Sequence, residues 1–214
     1  MKTKRKALLL SLCAVLLVAV SVMGTIAYLT STDNVTNTFT VGSVAITLDE
    51  TDVDNSTVGA ERDKANSYKL IPGHTYTKDP IIHVGATSED CYLFVKVVNE
   101  IAAIEEDDTA ARKTKIASQM RAKGWKAVDG QAGVFVYDGV DENGNLSDTP
   151  LAVSKNSNIT VFESFKISGS VDNTTLATYS GKAVTVTAYA VQKDGFESKT
   201  AAEIWNTAFP AANN

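Results

Sequence analysis

Cysteine is nearly absent from this chain. Of the two present, Cys13 lies in an apolar N-terminal run and only Cys91 in the body of the sequence. Once that run is removed no intramolecular disulfide can form, so stability has to come from burial. Flanked by Tyr92, Leu93 and Phe94, Cys91 reads as a small buried apolar residue, because no base accompanies it to make a nucleophile. Histidine is as scarce. His74 sits in a Pro-Gly turn and His83 on an alternating, strand-like run, and no HExxH helix joins a zinc ligand pair to a general base. Positive charge is short as well: without residues 1–27 there are 16 basic against 25 acidic residues, a net charge of −9. That argues against nucleic acid or anionic lipid as a partner.

The chain also lacks a serine or cysteine nucleophile motif and a phosphate-binding glycine loop. Two acidic groupings remain. Glu105, Glu106, Asp107 and Asp108 are read as complementing the positive end of a helix that follows them. Asp141, Asn143, Asn145 and Asp148 alternate as oxygen ligands do in a calcium loop. The glycine there is one place off the EF-hand pattern and no glutamate closes the loop, so an Asn-Gly hairpin turn is the preferred reading. Catalytic residues, metal and cofactor are all expected to be none. Sequons such as those at Asn34, Asn55, Asn158 and Asn173 carry little weight in a Thr/Asn-rich β protein.

What is present begins at the N-terminus. Lys2, Lys4, Arg5 and Lys6 precede an uncharged apolar run, residues 7–23, which ends in Gly24-Thr25-Ile26-Ala27. This is the layout of a secretory signal peptide, with Thr25 and Ala27 at the −3 and −1 positions and Tyr28 as the new N-terminus. An uncleaved anchor is the competing reading, since the run is long enough to span a bilayer as a helix. Lipidation at Cys13 is weaker, because Leu12 stands where a small residue is needed. No wall-sorting pentapeptide or apolar tail follows Phe209. Retention on a cell would then come from assembly or from partners.

The remaining 187 residues suit one sizeable core. Residues 38–48, 75–84, 91–98, 133–137, 159–167 and 182–192 form short runs rich in Val, Thr, Tyr and Phe, separated by turn pairs such as Pro72-Gly73, Asn143-Gly144 and Asp194-Gly195. That pattern predicts an all-β sandwich or barrel. In residues 91–98, Cys91, Leu93, Val95 and Val97 share one face and Tyr92, Phe94 and Lys96 the other, which predicts a central strand. Residues 49–67 hold almost nothing apolar and read as a mobile surface loop. One helix is predicted from Asp107 or Asp108 to Lys123, with Ile116 and Met120 buried, and a second from Thr200 with Glu203 completing a capping box. Both read as covers over the sheets.

Gly24-Thr25-Ile26-Ala27-Tyr28-Leu29-Thr30, then Asn37-Thr38-Phe39-Thr40-Val41-Gly42-Ser43 and the alternating Val44 to Leu48, resemble the TasA/camelysin family of Gram-positive bacteria. Leu70-Ile71-Pro72-Gly73 with Lys78-Asp79-Pro80, and the late strand through Val184 and Val191, look similar to that family too. The resemblance implies export through a SipW-type signal peptidase and a single jelly-roll-like antiparallel β-sandwich over residues 28–214. It places the product in the extracellular matrix or on the cell surface, touching the membrane only through the signal peptide before cleavage. Some members polymerise into fibres in which the freed N-terminal segment becomes a strand of the neighbouring subunit. On that model residues 28–48, with Phe39, Val41, Val44, Ile46 and Leu48, are the assembly strand, and the partners are further copies of the chain and other matrix or envelope proteins. Physically, a β-prone segment left beside a cleavage point can complete another molecule's open sheet edge. The family also carries a metalloendopeptidase label through camelysin, for which this sequence supplies no zinc motif. A third reading is a monomeric surface adhesin that keeps its N-terminal strand in its own sheet.

Overall fold

A computed structural model describes residues 3, 4, 6, 9–17 and 42–213, apart from 142 and 148. The chain divides into two compact units, Met1–Val41 and Gly42–Asn214. The described residues of the first unit are helical. Among the described residues no helix is long and apolar enough to cross a membrane. Thr25, Ala27, Tyr28, Phe39 and Val41 lie outside the described residues.

The second unit is built from three antiparallel sheets with a few short helices. The first sheet has the order β2-β1-β4-β8, from β2 (Arg62–Asp63), β1 (Ile46–Thr51), β4 (Ile81–Val84) and β8 (Asn158–Thr160). The second has the order β10-β5-β7-β6, from β10 (Val184–Gln192), β5 (Cys91–Asn99), β7 (Val134–Tyr137) and β6 (Trp125–Ala127). The third pairs β3 (Thr75–Thr77) with β9 (Ser164–Lys166). The helices are α1 (Ile116–Ala122), α2 (Asn173–Ala177) and α3 (Ala201–Ala208).

β5 organises the core as its alternation predicts. Cys91, Leu93, Val95 and Val97 enter one apolar cluster with Ile82, Val84, Phe162 and Phe165. Tyr92 and Phe94 enter a second with Val134, Val136, Ile204 and Trp205. The second sheet is therefore covered on both faces, and β5, with β10 on one side and β7 on the other, is interior to it. α3 provides the outer cover. Thr200 accepts from the Glu203 amide, Glu203 accepts from the Thr200 amide, and Trp205 packs edge-on against Tyr189 and at a tilt against Phe94 and Phe209, with ring centres 5.0–5.6 Å apart.

Two of the long predicted runs each break into two strands. Residues 75–84 bend at Asp79-Pro80, and residues 159–167 bend at Val161 and Phe162, both fully buried. The ladder continues around the corner, since Val161 donates to the Pro80 carbonyl and Lys78 to the Glu163 carbonyl. One antiparallel pair thus serves two sheets, turning where two side chains plug the core.

Three expectations need correction. The predicted helix from Asp107 or Asp108 begins only at Ile116, because Asp108 Oδ1 accepts the amides of Thr114 and Lys115 and wraps the intervening turn instead of starting a helix. Glu105 does complement the helix start, accepting from the Ile116 amide, but as a buried residue and not on a solvated face. Burial pushes its carboxyl above the usual range despite that amide. Residues 49–67, read as unanchored, carry the end of β1 and all of β2. Polar side chains do the anchoring: Arg62 binds the carboxylates of Asp49 and Asp79 and both of their carbonyls.

Candidate assembly groove

β1 follows from strict alternation. Val44, Ile46 and Leu48 are partly buried against the core while Ala45 and Thr47 are exposed, so these three predicted assembly residues pack into their own domain. Ile46–Asp49 pair with β4 on one side. On the other side β2 pairs only with Glu50 and Thr51, which leaves the backbone of Ile46 to Asp49 without a ladder partner among the described residues. β10 pairs with β5 along all nine residues and is likewise an edge on its far side.

The two open edges face a common groove of about 570 Å³, lined by residues 46–50 of β1, residues 64–66, and residues 183–188 at and before the first half of β10. Some Cα atoms of β1 and β10 lie within 8 Å of each other, yet no ladder joins them. A second hollow of about 640 Å³ continues from it, sharing Asn66, Lys78, Ala183 and Val184, with Tyr68, Leu70, Phe165 and Leu176 in its wall.

Among the polar residues that line the groove, Glu50 marks the one buried polar spot. Glu50 keeps the inward parity of Ile46 and Leu48 and is buried; its carboxylate accepts from Lys78 Nζ at 2.6 Å and from Asn66 Nδ2 at 3.1 Å. Beside it, Asp49 and Asp79 hold Arg62. Burial alone would raise both carboxyls, but the Arg62 guanidinium, together with His83 at Asp49 and the Thr51 amide at Asp79, brings each below the usual range. Arg62 therefore pins β2 to the end of β1 and fixes where the open stretch stops.

The other candidates fall apart from this groove. His83 sets Nε2 3.1 Å from Asp49 Oδ1 and Nδ1 2.7 Å from Asn158 Oδ1. His74 packs edge-on against Tyr76, 4.6 Å between ring centres. Cys91 is fully buried, and burial followed by the charge of Asp90 pushes its thiol up to about 11. Asp141 accepts from the amides of Asn143 and Asn145 and from Asn145 Nδ2, so its oxygens serve the turn that contains them. Asp148 lies outside the described residues. Asp52, Asp54 and Asp63 bring carboxylate oxygens within 4.8 Å of one another and can together reach a cation. Those oxygens already accept from Ser56, Thr57, Ala65 and Ser67.

Sequence reasoning missed Glu50, Lys78 and Asn66. The signal for Glu50 was available, since it continues the even-numbered parity of Val44, Ile46 and Leu48. No family model, curated protein or solved structure matches the chain.

Proposed function

We propose that this chain is a secreted structural protein of a Gram-positive cell surface or biofilm matrix, a jelly-roll-like sandwich of the TasA/camelysin kind. Its residues 28–41, freed by cleavage after Ala27, enter the β1/β10 groove of the next copy. The observation that carries the reading is the pair of open edges facing one groove. A strand between them gains backbone hydrogen bonds worth about 0.5–1.5 kcal/mol each. Each Val or Phe it buries adds about 1.5–3 kcal/mol. The contact is head-to-tail and does not close, so it propagates as a filament.

Insertion has one structural requirement. Two interstrand spacings are about 9.6 Å, so the edges that now approach within 8 Å in places have to part slightly. Val44, Ile46 and Leu48 stay in their own sheet, which confines the donated strand to residues upstream of Gly42.

The test is electron microscopy of two chains, one starting at Tyr28 and one at Val41, both keeping the compact unit Gly42–Asn214. Fibres are expected from the first alone. Equal fibre formation by both, or none by either, overturns the reading.

A further inference from the structure

The groove's polar spot is an awkward neighbour for an apolar strand. Glu50 and Lys78 have side-chain exposures of 7% and 11%, and Glu50 is the sole hydrogen-bond partner of the Lys78 ammonium among the described residues. Covering that pair with a methyl-bearing side chain strips its remaining hydration and returns nothing. A side-chain amide answers both charges at once, since its oxygen accepts from the ammonium and its nitrogen donates to the carboxylate.

Residues 35–41 contain one such group in the right phase. Val35, Asn37, Phe39 and Val41 alternate with Thr36, Thr38 and Thr40, so one face of an extended segment reads apolar, amide, apolar, apolar. The inward face of β1 reads Ile46, Leu48, Glu50, two apolar positions and then the acid. Antiparallel alignment of the two brings Val41 opposite Ile46 and Phe39 opposite Leu48, with Asn37 the next inward side chain beyond them. Asp63 of β2 already pairs with Glu50, so the donated backbone leaves β1 after residue 38, and Asn37 meets the ion pair with its side chain alone, across the part of the groove that Glu50, Lys78 and Asn66 line. Val35 and the residues before it then pass into the adjoining hollow walled by Tyr68, Leu70 and Phe165.

We propose that Asn37 of an incoming copy docks on the Glu50–Lys78 pair and sets the register of the donated strand. This rests on donor-strand assembly and goes further by naming which residue meets which wall. A one-residue slip turns the strand over, and a two-residue slip puts Phe39 or Val35 on the ion pair, so only one register satisfies every position.

The test uses chains starting at Tyr28. N37C copies are mixed with A65C copies, Ala65 being an exposed residue of the groove wall next to Asn66, assembled and oxidised. A disulfide-linked dimer is expected from that pair and not when V35C or F39C replaces N37C. Stronger linkage through V35C or F39C overturns the register while leaving assembly standing; no fibres from the unsubstituted chain overturns both. In a second arm, N37V is expected to slow elongation by about tenfold, with the rate recovered in N37V copies that also carry E50L and K78M. Elongation of N37V at the unsubstituted rate overturns the proposal.

Discussion

Glu50 and Lys78 are joined at 2.6 Å although they lie 28 residues apart, one on the inward face of β1 and the other just past β3. The pair ties the first sheet to the corner at Asp79-Pro80, and it does so almost out of water. Removing one partner of a buried pair leaves the other charge uncompensated, at a cost of about 3–5 kcal/mol, while apolar replacement of both is close to neutral. Urea unfolding of the E50L and K78M chains should show large losses, and the E50L/K78M double variant should return to within about 1.5 kcal/mol of the parent.

Acid unfolding should separate two carboxylates by sign. Asp108 has its carboxyl held at about 2 by Ser118, the amides of Lys115 and Thr114 and the Thr114 hydroxyl. A depressed group stabilises the fold above its ordinary pKa of 3.8 and loses that contribution as pH falls toward about 2. Glu105 is raised by burial, so the folded state holds its proton more tightly and gains stability as pH falls through the range above its ordinary value. Urea midpoints measured from pH 7 to pH 2 should therefore fall less steeply in D108N than in the parent. In E105Q they should lack the gain on acidification through that upper range.

The outer cover depends on a single indole. Trp205 is fully buried and touches Phe94, Tyr189 and Phe209. W205A should cost about 3–5 kcal/mol. T200A, which removes one half of the capping box, should cost about 1 kcal/mol. Thermal unfolding of the two variants checks the ratio.

Much of this architecture was legible because it is local. The two faces of β5 follow from period-two alternation, and the start of α3 from Thr200 and Glu203 three residues apart. The helix at residues 107–115 was misread because acidic residues before a helix and acidic residues wrapping a turn look alike in sequence; only the contact of Asp108 with Thr114 and Lys115 tells them apart. The groove was beyond reach for a different reason. That β1 and β10 present open edges to each other depends on how two sheets meet, and no pattern within either strand carries that information. Even so, Glu50 breaks the apolar parity of its own strand, and a charged residue on an inward face is a local sign that something must answer it.

The camelysin reading makes a separate prediction. No HExxH helix is present in the sequence, and His74 and His83 stand apart from the Asp52, Asp54 and Asp63 cluster. The purified chain supplied with zinc should cleave casein no faster than a control without protein. Chelator-sensitive cleavage would make the metalloendopeptidase assignment the better one.

A free peptide of residues 28–41 gives the most direct measure of the groove. If it occupies the β1/β10 edges of a chain starting at Gly42, it binds the folded state and stabilises it by about 2.7 kcal/mol at a hundredfold excess over its dissociation constant. The same peptide should then cap acceptor ends and stop elongation of chains starting at Tyr28. A peptide carrying Asn37→Val keeps the β propensity and the apolar face but loses the amide, so it should bind more weakly in both assays. A thermal shift that appears with the unsubstituted peptide and shrinks with the N37V peptide is the expected result. Equal shifts from both peptides would mean that the strand is held by its backbone and its apolar face, with the ion pair playing no part in choosing it.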